Sequence, residues 1–307
     1  MSKTYDVIIL GAGPGGLSAA IYAGRAMLDT LILEKGAPGG QILMTDFIEN
    51  YPGFPEGIAP IELMEGFRKQ AERFGAKIAM DPVKSLQREG HIWKVIGSKN
   101  EYLTRAVIIA TGANFRRLGV KGEGKFTGRG VSYCATCDGF FFRDKVVAVV
   151  GGGNWALTEA LFLTKFARQV KMIHRRDQFR AEKILQERTL TNEKIEVLWH
   201  TVIEEISGET TLKSLTIKNV KSGELSELEV DGLFVSIGTI PNSELVKDLC
   251  ELNEWQEIVV RKNFETSQAG IFAAGDVTDA CPQQVATAVG SGVAAAIATD
   301  EYLQLLE

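Results

Sequence analysis

A glycine-rich pattern that occurs twice constrains the fold more than any other feature of this 307-residue sequence. Gly11-Ala12-Gly13-Pro14-Gly15-Gly16 follows the apolar run 5–10, and Gly151-Gly152-Gly153-Asn154-Trp155-Ala156 follows Val146–Val150. In each copy, a run typical of a buried parallel strand leads through the glycines into a helical run. Such glycines permit a tight turn and let the backbone approach a pyrophosphate at the helix N-terminus. The pattern therefore predicts two βαβ units that bind dinucleotides.

The two copies align when Gly151 is placed on Gly11, an offset of 140 residues that also pairs Leu17 with Leu157. An internal repeat of this kind predicts an α/β protein with two Rossmann-like dinucleotide-binding domains of the three-layer ββα type. A strand and a small-residue helix near the C-terminus are expected to return to the first domain. The expected domains are therefore 1–117 with 243–307, and an inserted domain at 118–242.

The repeats differ where their second strands end. Glu34 ends this strand in the first copy, and its carboxylate can accept hydrogen bonds from ribose hydroxyls. His174-Arg175-Arg176 ends it in the second copy, and Arg180 follows shortly after. A carboxylate there would repel a ribose 2′-phosphate, whereas arginines pair with it. The second site is predicted to prefer NADPH over NADH, although a solvated basic face would also explain these arginines.

A cysteine pair, Cys134-Ala135-Thr136-Cys137, precedes Asp138 and lies between the two glycine motifs. One local turn can bring two cysteines at this spacing together, so that one thiolate attacks an external disulfide and the other resolves the mixed disulfide. Zinc would need two more ligands at short spacing, and Cys250 and Cys281 are isolated. We therefore expect a redox pair and no metal site, with Cys250 and Cys281 as small buried apolar residues.

Composition excludes several classes of function. The net charge of −5 and the isoelectric point of about 5.5 argue against nucleic-acid binding, which needs a clustered basic face. The sequence has no apolar run long enough to span a membrane and no basic-then-apolar leader. The expected compartment is the cytoplasm.

Three further segments are candidates for contact with a cofactor. The glycine- and proline-rich stretch 36–55, with Gly40-Gln41 and Asn50, is either a surface excursion or a loop that wraps the cofactor. Thr111-Gly112 follows an apolar strand. Gly275-Asp276 also follows a strand, and the acid there is either a helix N-cap or a polar contact to a cofactor.

Helical periodicity is clear after Pro60, a residue suited to the first turn of a helix. One face of this helix is expected to carry core residues, which are Ile61, Met64, Phe67, Ala71 and Phe74. Helices are also predicted at Leu17–Ala26, Leu157–Phe166 and about Gln284–Tyr302.

The combined pattern resembles the low-molecular-weight NADPH-dependent thioredoxin reductases, which are flavoprotein disulfide reductases, over essentially the whole chain. The resemblance depends on the two glycine motifs, Ala110-Thr111-Gly112, the motif 134–139, His174-Arg175-Arg176-Asp177 with Phe179-Arg180-Ala181, and Gly275-Asp276-Val277. It implies a thioredoxin-disulfide reductase that passes electrons from NADPH through FAD to a Cys134–Cys137 disulfide and on to thioredoxin.

The resemblance also implies roles for individual residues. Cys137 would lie against the flavin, Cys134 would exchange with thioredoxin, and Asp138 would handle protons. The residues implied in FAD binding are Gly11, Gly13, Pro14, Gly15, Gly16, Glu34, Lys35, Gly40, Gln41, Asn50, Val83, Thr111, Gly112, Gly275, Asp276, Gln284 and Val285. Those implied in NADPH binding are Gly151, Gly153, Asn154, Trp155, Ala156, His174, Arg175, Arg176 and Arg180. Members form homodimers and rotate one domain against the other, with 114–118 and 238–245 as the expected hinges here.

The sequence departs from the family pattern at three places. Trp155 stands where a small hydroxyl residue is usual, and its indole could stack on the nucleotide, obstruct it or pack beside it. Thr158 replaces a common acid, and Pro282-Gln283-Gln284 replaces a usual aromatic-Arg-Gln. Trp155 leaves open a related reductase with another electron donor, such as ferredoxin. A flavoprotein that senses redox state without turnover is the third function considered.

Overall fold

A computed structural model describes residues 3–44, 47–48, 50–133, 135–280 and 282–306, and at Met44, Thr136 and Cys137 it describes the backbone alone. The chain divides into two compact units. The first unit comprises Met1–Asn114 and Ile240–Glu307, and the second comprises Phe115–Thr239. The chain thus passes between the units twice, a few residues before each boundary expected from the sequence.

The helices of the described residues are α1 (Pro14–Arg25), α2 (Pro60–Arg73), α3 (Glu123–Phe126), α4 (Ala135–Asp138), α5 (Asn154–Leu163), α6 (Lys183–Leu190) and α7 (Val285–Gln304). The strands are β1 (Thr4–Leu10), β2 (Thr30–Glu34), β3 (Lys77–Met80), β4 (Val83–Glu89), β5 (Ile92–Gly97), β6 (Glu101–Ile109), β7 (Ala113–Phe115), β8 (Val131–Ser132), β9 (Val146–Gly151), β10 (Gln169–His174), β11 (Ile195–Trp199), β12 (Thr201–Gly208), β13 (Leu212–Asn219), β14 (Leu225–Glu229), β15 (Gly232–Ser236), β16 (Thr239–Pro241) and β17 (Ile271–Ala273). Short 3₁₀ helices occur at Gly40–Met44, Gly139–Phe142, Glu244–Val246 and Gly275–Val277.

The first unit is built on a seven-stranded sheet in the order β3-β2-β1-β6-β5-β4, in which β17 also pairs with β6. Strands β1, β2, β3, β6 and β17 are parallel, whereas β4 and β5 form an antiparallel meander on β6. Leu10 pairs with Leu33 and with Ile109, and Ala273 also pairs with Ile109. Because the carboxyl ends of these four strands are in register, the segments that follow them meet at one edge of the sheet.

Alternate residues of β1 pack into two cores. Val7 and Ile9 belong to the core that includes α1, α2 and α7, whereas Ile8 and Leu10 belong to the core with the meander and Val246. A strand that is buried on both faces is apolar along most of its length, and this pattern predicted the strand at 5–10.

The second unit repeats this plan with a five-stranded parallel sheet in the order β11-β10-β9-β15-β8. Val147 and Val149 of β9 pack on the helical side, with α5, while Ala148 and Val150 pack towards the antiparallel sheet β12-β13-β14. Helices, parallel sheet and antiparallel sheet form three layers. The predicted α/β class with Rossmann-like domains is confirmed.

Two expectations about helices were inaccurate. Helices α1 and α5 begin at Pro14 and Asn154, earlier than predicted, because the glycine motifs themselves form the first turns. In α2, Ile61 is 73% exposed. At 100° per residue, Ile61 lies about 120° around the helix from Phe67, which packs on the core, whereas Leu63 lies about 40° from Phe67 and takes the core position.

A prediction concerns the crossing of α1 and α7. A Cβ added at Gly292 would overlap the carbonyl oxygen of Gly15, whereas one added at Gly290 in the same helix meets nothing within 4 Å. We expect Gly292→Ala to lower the free energy of unfolding by about 2 kcal/mol through overpacking. Gly290→Ala should raise it by up to about 1 kcal/mol through helix propensity. Thermal unfolding followed by circular dichroism compares the two, and equal midpoints would contradict the assignment of the crossing.

Candidate functional site: two nucleotide cradles and a cysteine motif

The glycine turn after β1 leaves space that a side chain would fill. Gly11 has φ +105°, and a Cβ there would overlap the carbonyl oxygen of Ala110, while one at Gly16 would overlap that of Gly11. At Gly13 only the Cα of Gly40 lies as near as 4.0 Å. Gly13 also caps α1 in an extended conformation without a side-chain cap. The first N–H groups of α1 therefore face an open cradle, which suits a pyrophosphate.

Glu34, at the end of β2, supports this turn. One carboxylate oxygen accepts the N–H of Ala12 at 2.7 Å, and the other accepts those of Lys35 and Gly36 at 2.7 and 2.9 Å. The oxygen that accepts only the N–H of Ala12 keeps a second lone pair, so a hydroxyl donor of a ribose could still bind there. Glu34 thus fixes the turn and keeps its capacity to accept hydrogen bonds.

Other predicted residues surround the same edge. The Gln41 amide donates to the carbonyl oxygen of Ala113, and Asn50 donates to Gln284 at 3.0 Å. The Thr111 hydroxyl donates to the carbonyl oxygen of Asn242 at 2.8 Å, and the Asn242 side-chain amide donates to the carbonyl oxygen of Thr111 at 2.9 Å. Lys35 is exposed, Val285 begins α7 beside a small apolar cluster, and Val83 begins β4. Gly112 has φ +66° and open space where a Cβ would be.

Asp276 is not a helix N-cap. Gln284 caps α7, and the 3₁₀ helix Gly275–Val277 has no side-chain cap. Among the described residues, the half-buried Asp276 carboxyl has no hydrogen-bond partner, and burial raises its pKa to about 6. An acceptor without a partner at the carboxyl end of β17, beside an open glycine cradle, fits a bound dinucleotide with hydroxyl groups.

The second unit repeats the cradle after β9. A Cβ at Gly151 would overlap the carbonyl oxygen of Ser236, Ala156 packs beneath the turn, and Gly153 has nothing within 4 Å. Gly153 caps α5 in an extended conformation and again lacks a side-chain cap. The two turns therefore correspond as the offset predicts. A side chain would clash at the first glycine of each turn, Gly11 or Gly151, and would meet little or nothing at the third position, Gly13 or Gly153.

His174 and Asn154 stabilise the second turn. The His174 ring is 7% exposed, packs against Gly152 and lies 3.0 Å from the carbonyl oxygen of Gln178. Burial lowers its pKa, so the ring stays neutral at physiological pH. Asn154 exchanges two hydrogen bonds of 2.7 Å with Glu182, and the N–H of Arg180 donates to Gly152 at 2.8 Å. His174 is therefore placed to shape the cradle from beneath.

Arg175, Arg176 and Arg180 are exposed beside this turn, and within the described residues none of them forms an ion pair. Their guanidinium groups are thus available to an anion. Trp155 is 42% exposed and stacks on Phe115 with ring centroids 6.1 Å apart. Phe115 stacks in turn on Tyr133 at 6.3 Å. The indole of Trp155 thus packs beside the turn, on Phe115.

Cys134 lies outside the described residues, and the structure describes only the backbone of Cys137. The motif follows β8, which pairs with β15, and continues as α4 and the 3₁₀ helix Gly139–Phe142. Phe234 pairs with Ser132 and Ser236 with Gly151, so the chain enters the motif at the sheet edge that carries the second cradle. Asp138 is half-buried and lines a cleft of about 340 Å³ with Arg129, Lys145 and Phe141.

Glu159 is a buried polar residue that the sequence did not predict as part of the site. Its carboxyl is 4% exposed, accepts the N–H of Ala135 at 2.7 Å and accepts the hydroxyl of Ser236. The sequence feature that could have identified it is its position on the apolar face of α5, beside Ala156, Ala160 and Leu163. Such a position usually holds a core residue, so an acid there indicates a partner in the fold.

Cys250 is 6% exposed beside Thr266, with Sγ 3.5 Å from the hydroxyl, which confirms its assignment as a buried residue. Cys281 lies outside the described residues. In the part of the chain that the structure describes, no group of three or more potential ligands could hold a metal ion. No described helix has the length and apolarity that crossing a membrane requires.

Two dinucleotide cradles and a cysteine pair in one chain define a nucleotide-dependent disulfide oxidoreductase. The family model described as pyridine nucleotide-disulphide oxidoreductase matches residues 5–292. The chain is 49% identical over 300 residues to a thioredoxin reductase of Mycolicibacterium smegmatis, covering 97% of this chain and 96% of the relative. It is 47% identical to a thioredoxin reductase of Treponema pallidum, covering 100% of both chains.

Among solved structures, the thioredoxin reductase of Lactococcus lactis in the FR conformation matches with a TM-score of 0.94 and 42% identity, covering 98% of this chain and 99% of that one. The chain therefore belongs to the pyridine nucleotide-disulphide oxidoreductases and, within them, to the thioredoxin reductase family. The resemblance seen in the sequence is confirmed.

Proposed function

We propose that the protein is an NADPH-dependent thioredoxin-disulfide reductase with bound FAD. Two electrons and a proton leave NADPH as a hydride, and with one further proton they convert a thioredoxin disulfide into two thiols. The observation that carries this proposal is the position of the cysteine motif. It follows a strand whose carboxyl end lies at the same sheet edge as the second glycine cradle, and α5 contacts both.

The first cradle is proposed to hold FAD. Gly11, Gly13 and Gly16 would admit the pyrophosphate, Glu34 would accept from the adenosine ribose, and Asp276 would supply the acceptor that has no partner among the described residues. Bound FAD would supply a two-electron carrier between the pyridine nucleotide and the cysteine pair. The chain itself binds and orients that carrier and keeps its phosphates at the N-terminus of α1.

The second cradle is proposed to hold NADPH. Gly153 leaves the approach to α5 open, and the three exposed arginines can pair with a 2′-phosphate. The neutral His174 ring shapes the turn and adds no charge. These features favour a pyridine nucleotide donor over ferredoxin, which would have no need of a phosphate-binding cluster.

The cysteines are proposed to act in sequence. The Cys134 thiolate attacks one sulfur of the thioredoxin disulfide, forming a mixed disulfide and releasing the other sulfur as a thiolate, which takes a proton. The Cys137 thiolate then attacks Cys134, which releases the second thioredoxin sulfur and forms the Cys134–Cys137 disulfide. Asp138, half-buried in the cleft, is the nearest acid in sequence to move these protons. Two electrons, which bound FAD would supply, and two protons would return the pair to the dithiol.

A protein substrate is supported by the surface beside the motif. Phe140 and Phe141, which follow Asp138-Gly139, are 60% and 68% exposed. Adjacent exposed aromatic rings beside a reactive pair are typical of a surface that docks a protein. Arg143 lies with its guanidinium carbon 5.3 Å from the Phe140 ring centroid, which adds a polar rim.

An anaerobic titration of the purified yellow protein tests the cofactors. We expect NADPH to bleach the flavin absorbance rapidly, with NADH much slower, followed by multiple turnovers of added thioredoxin. Bleaching by dithionite but by neither nucleotide would contradict the NADPH assignment and favour another donor. Bleaching without turnover of thioredoxin would favour a sensing role.

We also propose a cytoplasmic homodimer, on the strength of the family resemblance. Light scattering on the eluting holoenzyme would give the mass directly. A monomeric mass at micromolar concentration would contradict the dimer.

A further inference from the structure

The carboxyl of Glu159 links the two functional parts of the second unit. It belongs to α5, whose N-terminus forms the nucleotide cradle, and it accepts the backbone N–H of Ala135, which lies between the two motif cysteines. Its other oxygen accepts the hydroxyl of Ser236, the last residue of β15. One buried side chain thus bonds the cysteine motif, the cradle helix and the central sheet together.

We propose that Glu159 is a positioning residue for the disulfide exchange: its ionised carboxylate holds the motif backbone at Ala135, and this hold weakens when the carboxylate takes up a proton. The proposal rests on the proposed function, because the positioned segment carries the exchanging cysteines. A charge-assisted bond to a backbone N–H is about twice as strong as a neutral one.

The site can hold both protonation states. A backbone N–H can only donate, so it favours the carboxylate. The Ser236 hydroxyl can donate to the carboxylate or accept from the acid, so a hydrogen bond between the two side chains is possible in both protonation states. Burial raises the pKa of the Glu159 carboxyl to about 7, against an ordinary value of 4.5, so both states are populated at physiological pH.

The charged neighbours do not account for this arrangement. Strands β8, β9 and β15 carry no charged residue, and α4 carries Asp138 alone. The titratable residues on the other elements packed against α5 are Lys171 and His174 on β10, and Lys183, Glu187 and Arg188 on α6. Lys171 pairs with Glu196 at 2.6 Å, His174 contacts the Gln178 carbonyl oxygen, and the three residues of α6 are largely exposed. Within the described residues, no ion pair reaches Glu159.

Hydrogen exchange and thiol alkylation test the proposal without depending on NADPH or thioredoxin. The holoenzyme is reduced with dithiothreitol, desalted anaerobically and studied from pH 5.5 to 9. Mass spectrometry then gives amide protection in the motif peptide and the rate at which iodoacetamide modifies Cys134 and Cys137. Glu159→Gln keeps the size and an acceptor oxygen but cannot ionise, and the exposed Glu187→Gln is the matched control.

We expect the protection of the Ala135 amide in the native protein, corrected for intrinsic exchange, to rise by up to about tenfold between pH 6 and pH 8, as the ionised fraction of a group with a pKa near 7 does. The alkylation rate rises with pH as the thiols themselves ionise, and on this rise it should show an additional inflection near pH 7. The change in protection and the additional inflection should persist in Glu187→Gln and vanish in Glu159→Gln. Protection that stays flat across this range in the native protein, with an alkylation profile that follows the thiols alone, would overturn the proposal.

Ser236→Ala provides a second measurement, which stands even if Glu159→Gln fails to fold. Removing the hydroxyl deletes a donor that favours the charged carboxylate, so the inflection should move to higher pH. An inflection that keeps its position in this variant would mean that the titrating group is not Glu159. Loss of thioredoxin turnover with these pH effects intact would count against the proposed function alone.

Discussion

Cys137→Ser is expected to abolish thioredoxin turnover and leave reduction of the flavin by NADPH intact. A serine hydroxyl is not ionised near neutral pH and cannot form a disulfide, so turnover should fall by about 1,000-fold or more. Cys134→Ser should have the same effect on turnover, because either sulfur alone cannot complete the exchange. Stopped-flow absorbance separates the two half-reactions in one preparation.

Cys250→Ala is the matched control. This cysteine is buried in the core of the first unit, outside the motif, and should be dispensable for both half-reactions. Turnover retained by either motif variant, or lost by Cys250→Ala with its flavin content unchanged, would contradict the assignment of the redox pair.

The triple substitution Arg175→Ala, Arg176→Ala and Arg180→Ala is expected to raise the KM for NADPH by about 100-fold, since hydrogen bonds to charged groups contribute about 1.5–3 kcal/mol each. The KM for NADH should change by no more than about threefold, because NADH carries no 2′-phosphate for the arginines to bind. Steady-state reduction of thioredoxin with each nucleotide measures the ratio. The difference in the KM for NADPH between the native protein and the triple variant should become smaller at high salt, because salt screens exposed charges such as these arginines.

Arg168→Ala controls for loss of positive charge. Arg168 is exposed and immediately precedes β10, at the opposite end of that strand from His174. Its substitution should leave both KM values unchanged. If the triple variant raised the KM for NADH as much as that for NADPH, the arginines would be stabilising the turn and not selecting the phosphate.

Local patterns were sufficient where the chain folds on itself over short distances. The strand-glycine-helix order at Gly11 and at Gly151 predicted both cradles, because the turn, the close packing and the helix start involve neighbouring residues. The offset between the copies was equally informative. The same offset relates the core positions of the two first strands, which are Val7 and Ile9 in β1 and Val147 and Val149 in β9.

Side-chain roles were harder to predict. His174 ends its strand as expected, yet its ring turns onto Gly152 and the Gln178 carbonyl oxygen. Trp155 meets Phe115, a residue of the strand by which the chain enters the second unit. Ile61 illustrates a simpler error, in which spacing by threes drifts away from the period of the helix.

By itself, the sequence determined the fold class, the two dinucleotide cradles and the cysteine pair, because each depends on residues close together in the chain. Only the tertiary structure decided that Asp276 has no hydrogen-bond partner among the described residues and that Glu159 bonds Ala135 and Ser236. These contacts join segments far apart in sequence, since Ser236 lies on a strand that the sheet order places beside β9. A buried carboxyl takes its partners and its pKa from whatever the fold packs around it, and no local pattern encodes that environment.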